Sequence, residues 1–181
     1  VLIAMPFVMK DAPQPSAEAD APKPKTKLIA RDLGLWILGA MALFSMVPEG
    51  AVLDWAAIYL SKELNAGVFA SGLGFAFFAG TMAIMRFAGD SVRNRYGAVK
   101  TLRVSAALGA LGLAIGGLAP TAPLAILGFA ISGLGVANLV PILFSAAGNR
   151  PGLAAGVGIS TVTMVGYTGI LVAPASIGFV A

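Results

Sequence analysis

Two carboxylates stand where carboxylates are expensive. Glu49 and Asp54 lie in the run Glu49-Gly50-Ala51-Val52-Leu53-Asp54-Trp55-Ala56-Ala57-Ile58-Tyr59-Leu60, directly after Pro48 and inside a long apolar stretch. The other acids sit in polar stretches. An acid among Met, Leu, Ala and Ile in lipid costs free energy unless it faces a partner or a wet cavity. Glu49 can carry a proton or accept hydrogen bonds from a hydroxylated solute, and Ser45, one turn back on the same face, can assist. Asp54 is five residues further on, roughly 140° around an ideal helix, and so does not share that face. Trp55 and Tyr59 beside it suit an interfacial aromatic belt, where an aspartate is cheap.

A second group is Arg86-Phe87-Ala88-Gly89-Asp90-Ser91-Val92-Arg93-Asn94-Arg95-Tyr96-Gly97. Arg86 and Asp90 are four apart and can pair on one helix face. Glycines at 89 and 97 allow a tight turn. The stretch is either a basic loop that anchors topology or a cytoplasmic gate built from Arg86, Asp90, Arg93 and Arg95. Asn138, three residues before Pro141, either lines a cavity or bonds across helices. Ser160, Thr161, Thr163, Tyr167 and Thr168 give the last apolar segment a polar side, with Tyr167 the foremost cavity residue. Histidine and cysteine are absent. That removes thiolate nucleophiles, common serine triads and most zinc sites. Asp54 and Asp90 raise the question of an intramembrane aspartyl dyad. Their expected depths differ by nearly a bilayer core, ~30 Å, so they cannot share a proton. An enzyme is not expected, nor a cofactor, a metal site or a nucleic-acid partner.

The elements that must position these groups are membrane helices. Of the 181 residues 58% are hydrophobic and 11% charged, against about 25% charged in soluble domains. The 23 glycines suit close helix packing in lipid. Five apolar segments are each about long enough to cross a bilayer. They cover about 33–60, 67–88, 98–118, 121–147 and 153 to the chain end. Short connections predict that consecutive helices are antiparallel neighbours. Pro48, Pro141 and Pro174 are the expected kinks, since proline removes a donor and crowds the preceding turn. Residues 1–9 read as the tail of a preceding transmembrane helix. Residues 10–32, with Pro13, Pro15, Pro22 and Pro24, read as a flexible linker. Eleven of the twelve basic residues fall in the linker, around the second connection and at Arg150. The positive-inside rule then places the linker and basic loops in the cytoplasm. The expected location is a plasma membrane, the inner membrane in a bacterium.

The Arg86–Gly97 stretch resembles the cytoplasmic-loop signature of the major facilitator superfamily, G-x-x-x-D-R-x-G-R-R, in the degenerate form between its eighth and ninth helices, with Asp90 directly after Gly89. The Glu49–Leu60 stretch is similar to the seventh helix of the fucose-permease-like, sugar-permease-related branch. Gly133-Leu134-Gly135-Val136-Ala137-Asn138-Leu139-Val140-Pro141 resembles its tenth helix. Gly166-Tyr167-x-Gly169, followed by Pro174 and Gly178, resembles its eleventh, with Ala173 in place of the glycine of the family's Gly-Pro pair. The resemblance implies an all-α integral membrane fold of five transmembrane helices, numbers seven to eleven of a twelve-helix transporter. Residues 33–181 would be a C-terminal half without its last helix, partnered by a small-molecule substrate, the lipid bilayer and an N-terminal half of the same polypeptide. It implies secondary active transport of a small polar solute, such as a sugar, by alternating access with proton coupling at Glu49. Two alternatives stay open: an efflux permease for amphipathic compounds, with Met41, Met46, Met82 and Met85 in an adaptable cavity, and a non-transporting membrane receptor or assembly subunit.

Overall fold

The computed structural model describes residues 32–180, except the side chains at 173, 174, 177 and 180. The expected helix tail at 1–9 and all of the linker before Asp32 lie outside the described residues, as does the side chain of Pro174.

The described residues form six helices: α1 Leu33–Lys62, α2 Val68–Tyr96, α3 Ala98–Gly117, α4 Ala122–Val136, α5 Leu139–Gly148 and α6 Ala155–Val180. Together α4 and α5 make one span, so five segments are long and apolar enough to cross a membrane. The described residues form helices and no strands, and the five apolar spans make the chain membrane-integral, as its composition leads one to expect.

Two boundaries differ from expectation. The second helix does not stop at Ala88 but runs on through Asp90, Arg93 and Arg95 to Tyr96. Gly89 is therefore a packing residue, and the turn is Gly97 alone, at φ +81°. That conformation strains any residue with a Cβ, so one glycine suffices to reverse the chain. The fourth span breaks at Ala137–Asn138. Pro141 is the third residue of α5, where its missing N–H is tolerated, and Ile142 makes the first turn's bond to the Asn138 carbonyl at 3.3 Å. Pro48, by contrast, sits inside an unbroken α1. It leaves the Phe44 carbonyl without its usual donor but does not end the helix.

The broken span is the centre of the bundle. In its apolar window 61% of residues are buried, against 33% or less in the other four. Its upper piece, α4, packs mainly on α3 and α2, and its lower piece, α5, on α6 and α1. The break at Asn138 is where the span changes neighbours. Consecutive helices are not always the closest packers. Although only Gly97 separates α2 from α3, they touch little, whereas α1 lies tightly along α6. Glycines decide this. A Cβ on Gly112 of α3 would stand 2.7 Å from the Gly128 carbonyl oxygen of α4, and one on Gly169 of α6 would stand 2.9 Å from the Leu43 carbonyl oxygen of α1. Backbones that approach so closely gain dispersion contacts over the whole crossing, which is the main attraction between helices in lipid.

Candidate functional site

Glu49 lies 16 residues beyond Leu33 in α1, about 24 Å along the helix. Arg86 lies 18 residues beyond Val68 in the antiparallel α2, about 27 Å from the opposite end. The two meet inside the bundle's span. Arg86 Nη2 is 3.6 Å from Glu49 Oε1, with the side chains 50% and 33% exposed. The apolar run thus tolerates its acid because a guanidinium from the next helix faces it. At 3.6 Å the contact is an ion pair outside good hydrogen-bond distance. It can part without breaking a directional bond.

This corrects the expected Arg86–Asp90 pair. The extended α2 carries Arg86 about 15 Å from its Tyr96 end, so Arg86 is a mid-span residue and not a loop residue. Its long side chain reaches across to α1. Asp90 is exposed and joins no described ion pair. Arg93 instead donates from Nη2 to Ser145 Oγ of α5 at 2.9 Å. Arg95 and Lys100 both lie 5.7 Å from the Tyr96 ring centre. Of the four expected gate residues, only Arg93 bridges to another span at the basic end.

Ser45 does not join Glu49. Its hydroxyl donates to the Met41 carbonyl of its own helix at 2.7 Å. It lines a cavity of about 320 Å³ between α1, α3 and α4–α5. Asp54 is exposed, roughly 12 Å short of the α1 C-terminus. Neighbouring Tyr59 donates to the Gly117 carbonyl at 3.1 Å and meets Phe129 edge-on. Tyr167 is half exposed. A larger cavity of about 640 Å³ opens at this end, lined by Trp55, Tyr59, Phe129, Lys62 and Glu63. It includes neither Glu49 nor Arg86.

Asn138 is buried at the α4–α5 break against Gly89 of α2. A Cβ at Gly89 would stand 3.0 Å from Asn138 Cγ. The Nδ2 group has no hydrogen-bond partner among the described residues. So Asn138 is not glue between helices through that amide. It is a polar group wedged at the one discontinuity of the central span.

Sequence reasoning missed a second ion pair. Asp32 caps α1 by accepting from the Gly34 amide at 2.7 Å. It also accepts two bonds from Arg150, from Nε to Oδ2 and from Nη2 to Oδ1, both 3.0 Å. The Arg150 bonds, and then the Gly34 amide, hold the Asp32 carboxyl below its usual range. Gly34 is what lets the guanidinium in, since a Cβ there would stand 2.6 Å from Arg150 Cζ. The pair joins the start of α1 to the α5–α6 connection across 118 residues. The aspartate before an apolar run was a visible N-cap signal; its distant partner was not.

Comparison with known proteins agrees with this architecture. The family profile described as Major Facilitator Superfamily matches residues 1–174. An uncharacterised MFS-type transporter of Yersinia pestis is 36% identical over 148 residues, 81% of this chain and 38% of the relative. An uncharacterised transporter of Sinorhizobium fredii is 32% identical over 85% of this chain and 41% of its own length. Membrane protein MosC of Rhizobium meliloti is 33% identical over 83% and 37%. The chain spans about two-fifths of the length of these relatives. No solved structure matches it. With five spans in place and the family profile covering nearly all of it, the chain belongs to the Major Facilitator Superfamily.

Proposed function

We propose that this chain is the C-terminal half of a secondary active transporter, which moves a small polar solute by alternating access with a proton as the coupling ion. The observation that carries the reading is Glu49 beside Arg86 at 3.6 Å within the span, both side chains partly exposed. A carboxylate paired across two helices alternates between two arrangements. Ionised, it neutralises Arg86 and draws α1 to α2. Protonated, it leaves Arg86 with an uncompensated charge, which an incoming solute hydroxyl or carboxylate, or water, must then satisfy. Proton binding and solute binding are thereby linked through one guanidinium.

The similarity of the Glu49–Leu60 stretch to the sugar-permease-related branch supports a sugar as cargo. The basic end, with Arg93, Arg95, Lys100, Arg103 and Arg150, faces the cytoplasm of a bacterial inner membrane under the positive-inside rule. There Arg93–Ser145 and Asp32–Arg150 hold α1, α2 and α5 together as the cytoplasmic gate of this half. The test is uptake by the full-length protein in vesicles, with a panel of labelled sugars and an imposed pH gradient. Accumulation of one solute, abolished by collapsing the gradient, supports the reading. Tight solute binding without flux in either direction overturns it in favour of a receptor.

A further inference from the structure

The weak contact between α2 and α3 has a structural result. The two helices leave Gly97 and splay, and α4 closes the space between them from behind. The notch is a groove of about 330 Å³ walled by Met85 and Val92 of α2, Leu108 of α3 and Leu134 of α4, with Tyr96 and Lys100 at its mouth. From Lys100 to Leu108 it descends about 12 Å into the membrane. Thr101 and Ser105 also line it but are buried, so its open walls are mostly apolar; Val104, 60% exposed, forms its rim, and Val99, 64% exposed, extends the apolar surface beside it.

The mouth is strongly cationic. Arg95 Cζ and Lys100 Nζ each sit 5.7 Å from the centre of the same Tyr96 ring. Arg103 follows Lys100 one turn along α3 and is exposed. None of the three joins an ion pair among the described residues. Both cations gather on one aromatic ring, and neither has a counter-charge among the described residues. An anion beside that ring supplies one.

We infer that this groove binds an anionic phospholipid, with one acyl chain between α2 and α3 and its phosphate at the mouth beside Tyr96, where Lys100 and Arg95 carry the positive charge. The apolar depth and the paired cations are complementary to the two ends of that molecule and to neither a free phosphate nor a neutral lipid. Lys and Arg stems lie along apolar surface while their charges reach the headgroup layer. The proposal needs only the membrane, not the transport reading.

The test is intact mass spectrometry of the full-length protein in a neutral detergent, titrated separately with phosphatidylglycerol and phosphatidylcholine. Phosphatidylglycerol is expected to be retained preferentially. R95Q/K100Q is expected to weaken its retention about 25-fold, from about fivefold per cation near an anionic headgroup, and to leave phosphatidylcholine unchanged. Both substitutions are on exposed side chains and leave the helices intact. Val104→Trp, which fills the groove from its rim, is expected to release the lipid with both cations still present. Inorganic phosphate at equal concentration is expected not to compete. Equal retention of the two lipids, an unchanged R95Q/K100Q or Val104→Trp variant, or full displacement by inorganic phosphate overturns the assignment.

Discussion

Replacing Glu49 with Gln while Arg86 remains tests whether the pair holds α1 to α2. The two charges are 3.6 Å apart. At an effective dielectric of ~20 their direct attraction is roughly 5 kcal/mol. With one side chain half exposed and the other a third, desolvation and screening reduce the net contribution to about 1–2 kcal/mol. E49Q and R86Q each lose that amount and also leave the other charge unmatched within the span. The double variant loses it once. A double-mutant cycle on the unfolding of the full-length protein, followed by Trp36 and Trp55 fluorescence, should therefore show a coupling of about 1–2 kcal/mol. Additivity within about 0.3–0.5 kcal/mol would mean that the pair is not energetically joined, and the link between α1 and α2 would fall.

Gly112→Val drives a side chain into the Gly128 and Ser132 backbone and should cost about 1–3 kcal/mol in thermal unfolding, whereas Gly72→Val, with nothing within 4 Å, should cost little from packing. Gly89→Ala should destabilise, and combining it with Asn138→Ala should restore much of the loss, since the conflict is with that one side chain; an additive double variant contradicts the packing. The Asp32 carboxyl is held below its ordinary value of 3.8, so its bridge stabilises the fold above that pH and the contribution fades as pH falls through the lowered value. Arg150→Gln should accordingly be less stable than the parent at neutral pH, with the difference shrinking on strong acidification; a difference that persists below the lowered value points to another cause.

The membrane class and the five spans were readable because about 20 apolar residues in a row have few other uses. The end of α2 was misplaced because an apolar window stops at the first charges. Arg86 nevertheless stays in the helix, since a partner on α1 satisfies it, and Asp90, Arg93 and Arg95 follow as an exposed helical end. The break at Asn138 follows from Pro141, but the proline alone did not distinguish a break from the continuous helix that Pro48 permits. The candidate site was legible in part. An acid in an apolar run announces that it has a partner, and it does not say which. Glu49 and Arg86 are 37 residues apart and Asp32 and Arg150 are 118 apart, and no local periodicity joins them. Ser45 shows the converse limit: sharing a helical face with Glu49 was correct geometry, yet its hydroxyl takes the nearer Met41 carbonyl, as serines in apolar helices commonly do.

If Glu49 carries the coupling proton, as proposed, neutralising it separates exchange from accumulation. Full-length protein and its Glu49→Gln variant are reconstituted in vesicles, and solute movement is measured both as accumulation driven by a pH gradient and as exchange of labelled for unlabelled solute without any gradient. Glu49→Gln is expected to retain exchange and lose accumulation. Gradient-driven accumulation at the parent level in Glu49→Gln would contradict it.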